Sequence, residues 1–188
     1  LGGYGLSNAA FVAVSTSLDS QDGSSWGIAL SSDGTKLYQT GNVNNSIFQY
    51  TLSTAWDIST VSYDSVSFSV SSQTGSPFNV HFSSDGTVMY VSDNTVVYQY
   101  TLSTAWDIST ASYASKLFNF SSLVSSQAQL EFKSDGTVLL IGGYNNSIYQ
   151  FTLSTAWDVS TATYSGKSFT PTLPSSLWSV SANDTGTK

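Results

Sequence analysis

The nine residues "LSTAWDIST" stand at 52–60 and again at 102–110, and "LSTAWDVST" stands at 153–161. A second marker keeps the same beat: "SSDGTKLY" at 31–38, "SSDGTVMY" at 83–90 and "KSDGTVLL" at 133–140. The Asp-Gly pairs lie 52 and 50 residues apart and the Ala-Trp-Asp triplets 50 and 51, so two independent markers give one period of about 50. Copies of a catalytic motif would be redundant, whereas a repeated structural unit needs its parts in every copy. A degenerate "ANDTGTK" at 182–188 follows the same pattern.

Each period predicts four short strands. In the second unit "PFNVHF" (77–82) alternates, with Phe78, Val80 and Phe82 on one face. Asp-Gly then marks a hairpin, because Gly takes the positive φ that a tight turn requires. The pairs Asp33 and Gly34, Asp85 and Gly86, and Asp135 and Gly136 hold that position. "TVMYVS" (87–92) and "VVYQYTL" (96–102) supply the second and third strands, and "SKLFNF" (115–120) the fourth. No segment carries a helical period. Four antiparallel strands repeated every 50 residues predict an all-β fold, a β-propeller of four-stranded blades.

The units fall at about 24–72, 73–122 and 123–173, one repeat domain over 1–188. Residues 1–23 hold the last strand of a preceding blade, near 10–18, and 174–188 the first strand of a further one, at 177–182. About three and a half blades leave sheet edges open, and closed propellers have four to eight. The expectation is part of a longer propeller, or a ring completed by other copies.

Composition narrows the partners. Only 9% of residues are charged, Ser and Thr make up about a third, Arg is absent and the net charge is −7. Nucleic acid needs a basic face and anionic membranes need basic clusters, so neither is expected. Aromatics at 14% and hydrophobics at 40% are too abundant for a disordered chain. There is no cysteine, and no apolar run is long enough to span a membrane as a helix. No cofactor is expected. "DSQDGSS" (19–25) resembles a calcium loop only faintly, lacking the alternating ligands and closing Glu, so no metal is expected either.

The repeats at 31–72, 83–120 and 133–170, with "YTLSTAWDIST" joined to "SSDGT", resemble β-propeller repeats of phage and marine-bacterial surface proteins. The resemblance implies a structural or binding role at an extracellular or virion surface, as a fibre, spike or adhesin component, rather than an enzyme. Its partners would be other subunits, missing blades of the same chain, or glycans. The stretch at 121–132, "SSLVSSQAQLEF", departs from the pattern by lacking the Pro-Gly entry.

Within the repeat, Trp56, Trp106 and Trp157 are expected to pack under their loops or between neighbouring blades. Asp57, Asp107 and Asp158 are expected to accept bonds from backbone amides two or three residues on, as Asx turns do. Ring-stacking sugar sites at these tryptophans are the functional alternative. The positions that differ between units lie on the first strand, which lines the channel of a propeller. Its variable residues Asn79, His81, Gln129 and Glu131, with Trp26 and Trp178, form the candidate ligand-facing set. His81 and Glu131 are the only His and the only Glu and occupy equivalent positions. An acid–base pair there would suit a lactonase- or lyase-like propeller. A lectin-like propeller would use the aromatic rings and amides instead.

Overall fold

The computed structural model describes residues 17–126, 129–143 and 146–171. Among the described residues twelve strands fall into three sheets of four. The first holds β1 (Ser25–Leu30), β2 (Lys36–Gly41), β3 (Ser46–Leu52) and β4 (Val61–Ser69). The second holds β5 (Asn79–Phe82), β6 (Val88–Ser92), β7 (Val96–Leu102) and β8 (Ala111–Asn119). The third holds β9 (Gln129–Phe132), β10 (Val138–Gly142), β11 (Ile148–Leu153) and β12 (Ala162–Phe169). Each sheet is an antiparallel meander in chain order. The strand expected near 10–18 falls mostly, and the one at 177–182 wholly, outside the described residues.

Two boundaries differ from the sequence reading. The first strand of the second unit begins at Asn79 rather than 77, because Pro77 has no N–H to give a ladder. The fourth strand begins at Ala111, directly after the Ala-Trp-Asp turn, rather than at 115. Its register breaks between Gln99 and Tyr100, where Ser115 takes a positive φ of 56°. That bulge interrupts the apolar alternation and hides the first half of the strand. Ser65 and Gly166 mark the same bulge in the other sheets.

The two sequence markers prove to be halves of one local joint. Gly34, Gly86 and Gly136 sit at φ of 72°, 73° and 71° in their hairpins. In the second unit Asp85 Oδ1 accepts from the Thr87 amide at 3.0 Å, the Thr87 hydroxyl at 2.9 Å and the Ser83 hydroxyl at 2.6 Å. The Trp106 amide donates to the Gly86 carbonyl at 3.0 Å, and the indole lies flat over the glycine. Asp107 then caps a short 3-10 turn (Ile108–Thr110), accepting from the Ser109 amide at 3.0 Å. Asp57 and Asp158 do the same for Ser59 and Ser160. The Ala-Trp-Asp turn is thus folded down onto the Asp-Gly hairpin of its own sheet.

The same turn also meets the preceding sheet. Tyr38 Oη donates to the Trp106 carbonyl, and Tyr90 Oη to the Trp157 carbonyl, both at 2.6 Å. The Ile108 amide donates to Gln49 Oε1 and the Val159 amide to Gln99 Oε1, both at 3.0 Å. Lys116 of the second sheet pairs with Asp158 of the third at 2.7 Å. Around these bonds lie two buried clusters. Tyr38, Ile47 and Val70 of the first sheet close on Val80, Phe82 and Met89 of the second. Tyr90, Val97 and Phe120 of the second close on Leu130, Phe132 and Leu139 of the third. Each such side chain removed from water contributes roughly 1.5–3 kcal/mol, so the sheets are held face to face mainly by these clusters.

The stretch that departs from the repeat nevertheless turns as its counterpart does. Leu123 and Val124 amides donate to the Phe120 carbonyl, as Gln73 and Thr74 amides do to Val70. The corner is the same in both units, with a buried apolar residue, Val70 or Phe120, at its first position.

Candidate functional site

The first strands of the three sheets line a cleft of about 630 Å³. Trp26, Asn79, His81, Gln129 and Glu131 all border it, so the fold gathers these sequence candidates around one cleft. Trp178 lies outside the described residues.

Each candidate is placed by its strand. Trp26 stands on β1 beside a register break between Ser25 and Ile28. The break leaves its ring exposed and stacked on Phe78, with centroids 5.1 Å apart and planes 24° apart. Gly27 is required next to it, because a Cβ would lie 2.8 Å from the Phe78 carbonyl oxygen and 2.9 Å from the Asn79 Cα. Asn79 and Gln129 occupy the same position in successive sheets, and Asn79 Nδ2 donates to Gln129 Oε1 at 2.8 Å. The other end of the amide, Asn79 Oδ1, is buried with no hydrogen-bond partner among the described residues. A buried carbonyl oxygen left unpaired costs about 1–3 kcal/mol.

His81 does more than border the cleft. Its ring packs 5.3 Å from Phe132 of the third sheet, and desolvation lowers its pKa to about 4. The imidazole is therefore neutral near pH 7. Glu131 takes the equivalent place on β9. Among the described residues no three His, Asp or Glu side chains gather as metal ligands, and the cleft lining contains neither Lys nor Arg.

Sequence reasoning missed Asp22, Gln49 and Gln99. Asp22 is buried; its Oδ1 accepts from the Ser24 amide at 2.8 Å and its Oδ2 from the Asn44 amide at 2.8 Å. The acidic stretch at 19–25 is in this respect a clamp on the 42–45 loop. Gln49 and Gln99 were legible only as polar interruptions at one repeated position of an apolar strand.

These groups fix a pH response. Hydrogen bonds from Ser31 and Thr35 hold the Asp33 carboxyl down at about 2, and similar bonds lower Asp57 and Asp85. A depressed carboxyl stabilises above its unfolded value of about 3.9 and stops doing so as pH falls through the folded value. His81, also depressed, stabilises fully above about 6.5 and loses this as pH falls toward 4. Stability should therefore decline in two stages on acidification, from about 6.5 to 4 and then from about 4 to 2. Urea midpoints measured across pH should show both in the natural chain and only the lower one in His81→Asn.

No protein-family model and no curated protein matches the chain. The fold of stacked four-stranded antiparallel meanders is shared with solved structures. A functionally unknown protein from Desulfotomaculum acetoxidans superposes with a TM-score of 0.53 at 17% identity, covering 76% of this chain and 42% of that one. A candidate 6-phosphogluconolactonase from Bacteroides uniformis gives 0.54 at 14%, covering 76% and 40%. Another from Bacteroides fragilis gives 0.51 at 14%, covering 76% and 38%. The match thus spans about 40% of the length of those proteins. At such identities the likeness is one of fold alone.

Proposed function

We propose that the three sheets are blades of a β-propeller and that the chain is a non-enzymatic binding module of an extracellular or virion surface assembly, such as a fibre, spike or adhesin. Its channel wall is the face that meets the ligand, and a neutral saccharide is the ligand class that suits it. The observation carrying this reading is the exposed Trp26 ring at a cleft bordered by the Asn79 and Gln129 amides. The ring offers an apolar platform to a sugar face, and the amides offer hydrogen-bonding groups to its hydroxyls. The repeated parts are spent on joints between blades, whereas the first-strand residues differ from unit to unit. The same resemblance to phage and marine-bacterial repeats supports the surface setting.

A glycan array probed with the chain tests the proposal. Binding to a defined set of glycans, weakened about tenfold or more by Trp26→Ala, is the expected result. An array on which the natural chain and Trp26→Ala give the same signals would remove it.

The second reading, a lactonase-like enzyme, is favoured by the fold of the Bacteroides proteins. A phosphorylated sugar lactone normally calls for Lys or Arg at its phosphate, and the described cleft lining has neither. Hydrolysis of 6-phosphogluconolactone by the chain, lost in both His81→Ala and Glu131→Ala, would establish this reading over the first.

A further inference from the structure

We propose that the cleft selects saccharides by charge: Glu131 turns away acidic sugars, such as uronic acids, and leaves neutral ones to bind. The inference rests on the saccharide reading given above and adds to it the residue that sets specificity.

Strand register arranges the candidate residues in two rows. Asn79 stands opposite Ser92 and Gln129 opposite Gly142, and their amides bond to one another at 2.8 Å. Two residues further along, Ala29 is opposite Tyr38, His81 opposite Tyr90 and Glu131 opposite Leu140. Residues i and i+2 of a strand share a face and lie about 6.5 Å apart. Glu131 therefore stands beside Gln129, and His81 beside Asn79, around the same cleft. All four are partly exposed, whereas the alternate residues Val80, Phe82, Leu130 and Phe132 are buried.

The second row changes character from sheet to sheet. It runs from a methyl group at Ala29, through an imidazole at His81, to a carboxyl group at Glu131. His81 packs on Phe132 and is neutral near pH 7, so it brings no positive charge to the row. Among the described residues that line the cleft, Glu131 is the one acidic side chain, and none is Lys or Arg. On the side of the first sheet stands the exposed Trp26 ring, stacked on Phe78.

This arrangement orients a sugar. Its apolar face lies over Trp26, its hydroxyls meet the amide row, and a substituent directed toward β9 comes to Glu131. A hydroxymethyl group at that place donates a hydrogen bond to the carboxylate. An ionised carboxylate on the same carbon has no proton to donate. It also meets a like charge in a cleft, where charges are screened less than in open water. Specificity of this kind comes from the penalty on the wrong ligand rather than from extra contact with the right one.

Matched glycan pairs test the proposal. Oligosaccharides ending in glucose or galactose are compared with those ending in glucuronic or galacturonic acid, which carry a carboxylate in place of the hydroxymethyl group. The natural chain should bind the neutral member of a pair at least about tenfold more tightly than the acidic one. Glu131→Gln keeps the shape of the side chain without its charge and should lower that ratio to about threefold or less. Glu131→Lys should invert it, and added salt should narrow it in the natural chain. Near-UV circular dichroism identical to the natural chain certifies that the variants are folded. Equal affinity of the natural chain for both members, or a ratio that both variants leave where it was, overturns this proposal while the saccharide reading stands. A natural chain that binds no glycan at all removes both.

Discussion

Replacing Gly86 by Ala should cost about 3 kcal/mol, more than the same change at any exposed hairpin. Two effects add. The residue sits at a φ of 73°, where a side chain is strained by about 1 kcal/mol. The new Cβ would also fall within the indole of Trp106. That ring cannot retreat freely, since its own backbone carbonyl is held by Tyr38 and its far side meets Phe82 at 5.4 Å. Gly34→Ala is the internal control. Its φ is 72° and its Cβ would meet Trp56 in the same way, but Trp56 is 63% exposed and can swing into solvent. The cost there should be close to the backbone strain alone, about 1 kcal/mol. Urea unfolding at low protein concentration, with the midpoints compared at constant slope, decides it. Equal losses at the two glycines would show that the tryptophan contact does not restrain the hairpin.

Truncating Trp106, a partly buried ring packed against the core of the first two sheets, to Ala should cost about 2–3 kcal/mol, below the upper end of the range for buried aromatics. The indole joins three things: the hairpin beneath it, Phe82 beside it, and through the backbone carbonyl of its own residue Tyr38 of the preceding sheet. Loss of the ring opens a void at the rim of the core shared by the first two sheets. Trp56→Ala removes the same ring where it is 63% exposed, and should cost about 1 kcal/mol or less. Thermal or chemical unfolding of the two variants, with the midpoints compared at constant slope, reads the difference.

Much of the architecture was legible in the residues because its determinants are local. Asp85 and Gly86 turn the chain through bonds that reach two residues away, and Asp107 caps a turn over the same distance. Such contacts appear in sequence as short motifs, and repetition made them audible three times. The third strand, 96–102, was equally plain because it is a short run rich in β-branched and aromatic residues. The fourth was not, since Ser115 at positive φ shifts the register halfway along and reverses the face of every residue before it.

The candidate site was legible in part and for a different reason. Divergence between copies pointed to Asn79, His81, Gln129 and Glu131, and these do border one cleft. What they touch was not readable. The Asn79 to Gln129 bond joins residues 50 apart, and His81 rests on Phe132 of the next sheet. Gln49 and Gln99 were invisible as joint residues because their partners, the amides of Ile108 and Val159, are backbone groups with no signature of their own.

The sequence by itself determined the unit: its 50-residue length, its hairpins, its capped turns and its all-β character, since each depends on backbone preferences expressed within a few residues. Only the tertiary structure decided what the unit is for. Stacking one sheet on the next turned the Ala-Trp-Asp motif into an inter-sheet joint, buried Ile108 while leaving Ile58 exposed, and joined the Asn79 amide to that of Gln129. Those outcomes depend on which surfaces meet across 50 or more residues of chain, and identical local motifs have different fates according to whether a neighbouring sheet covers them.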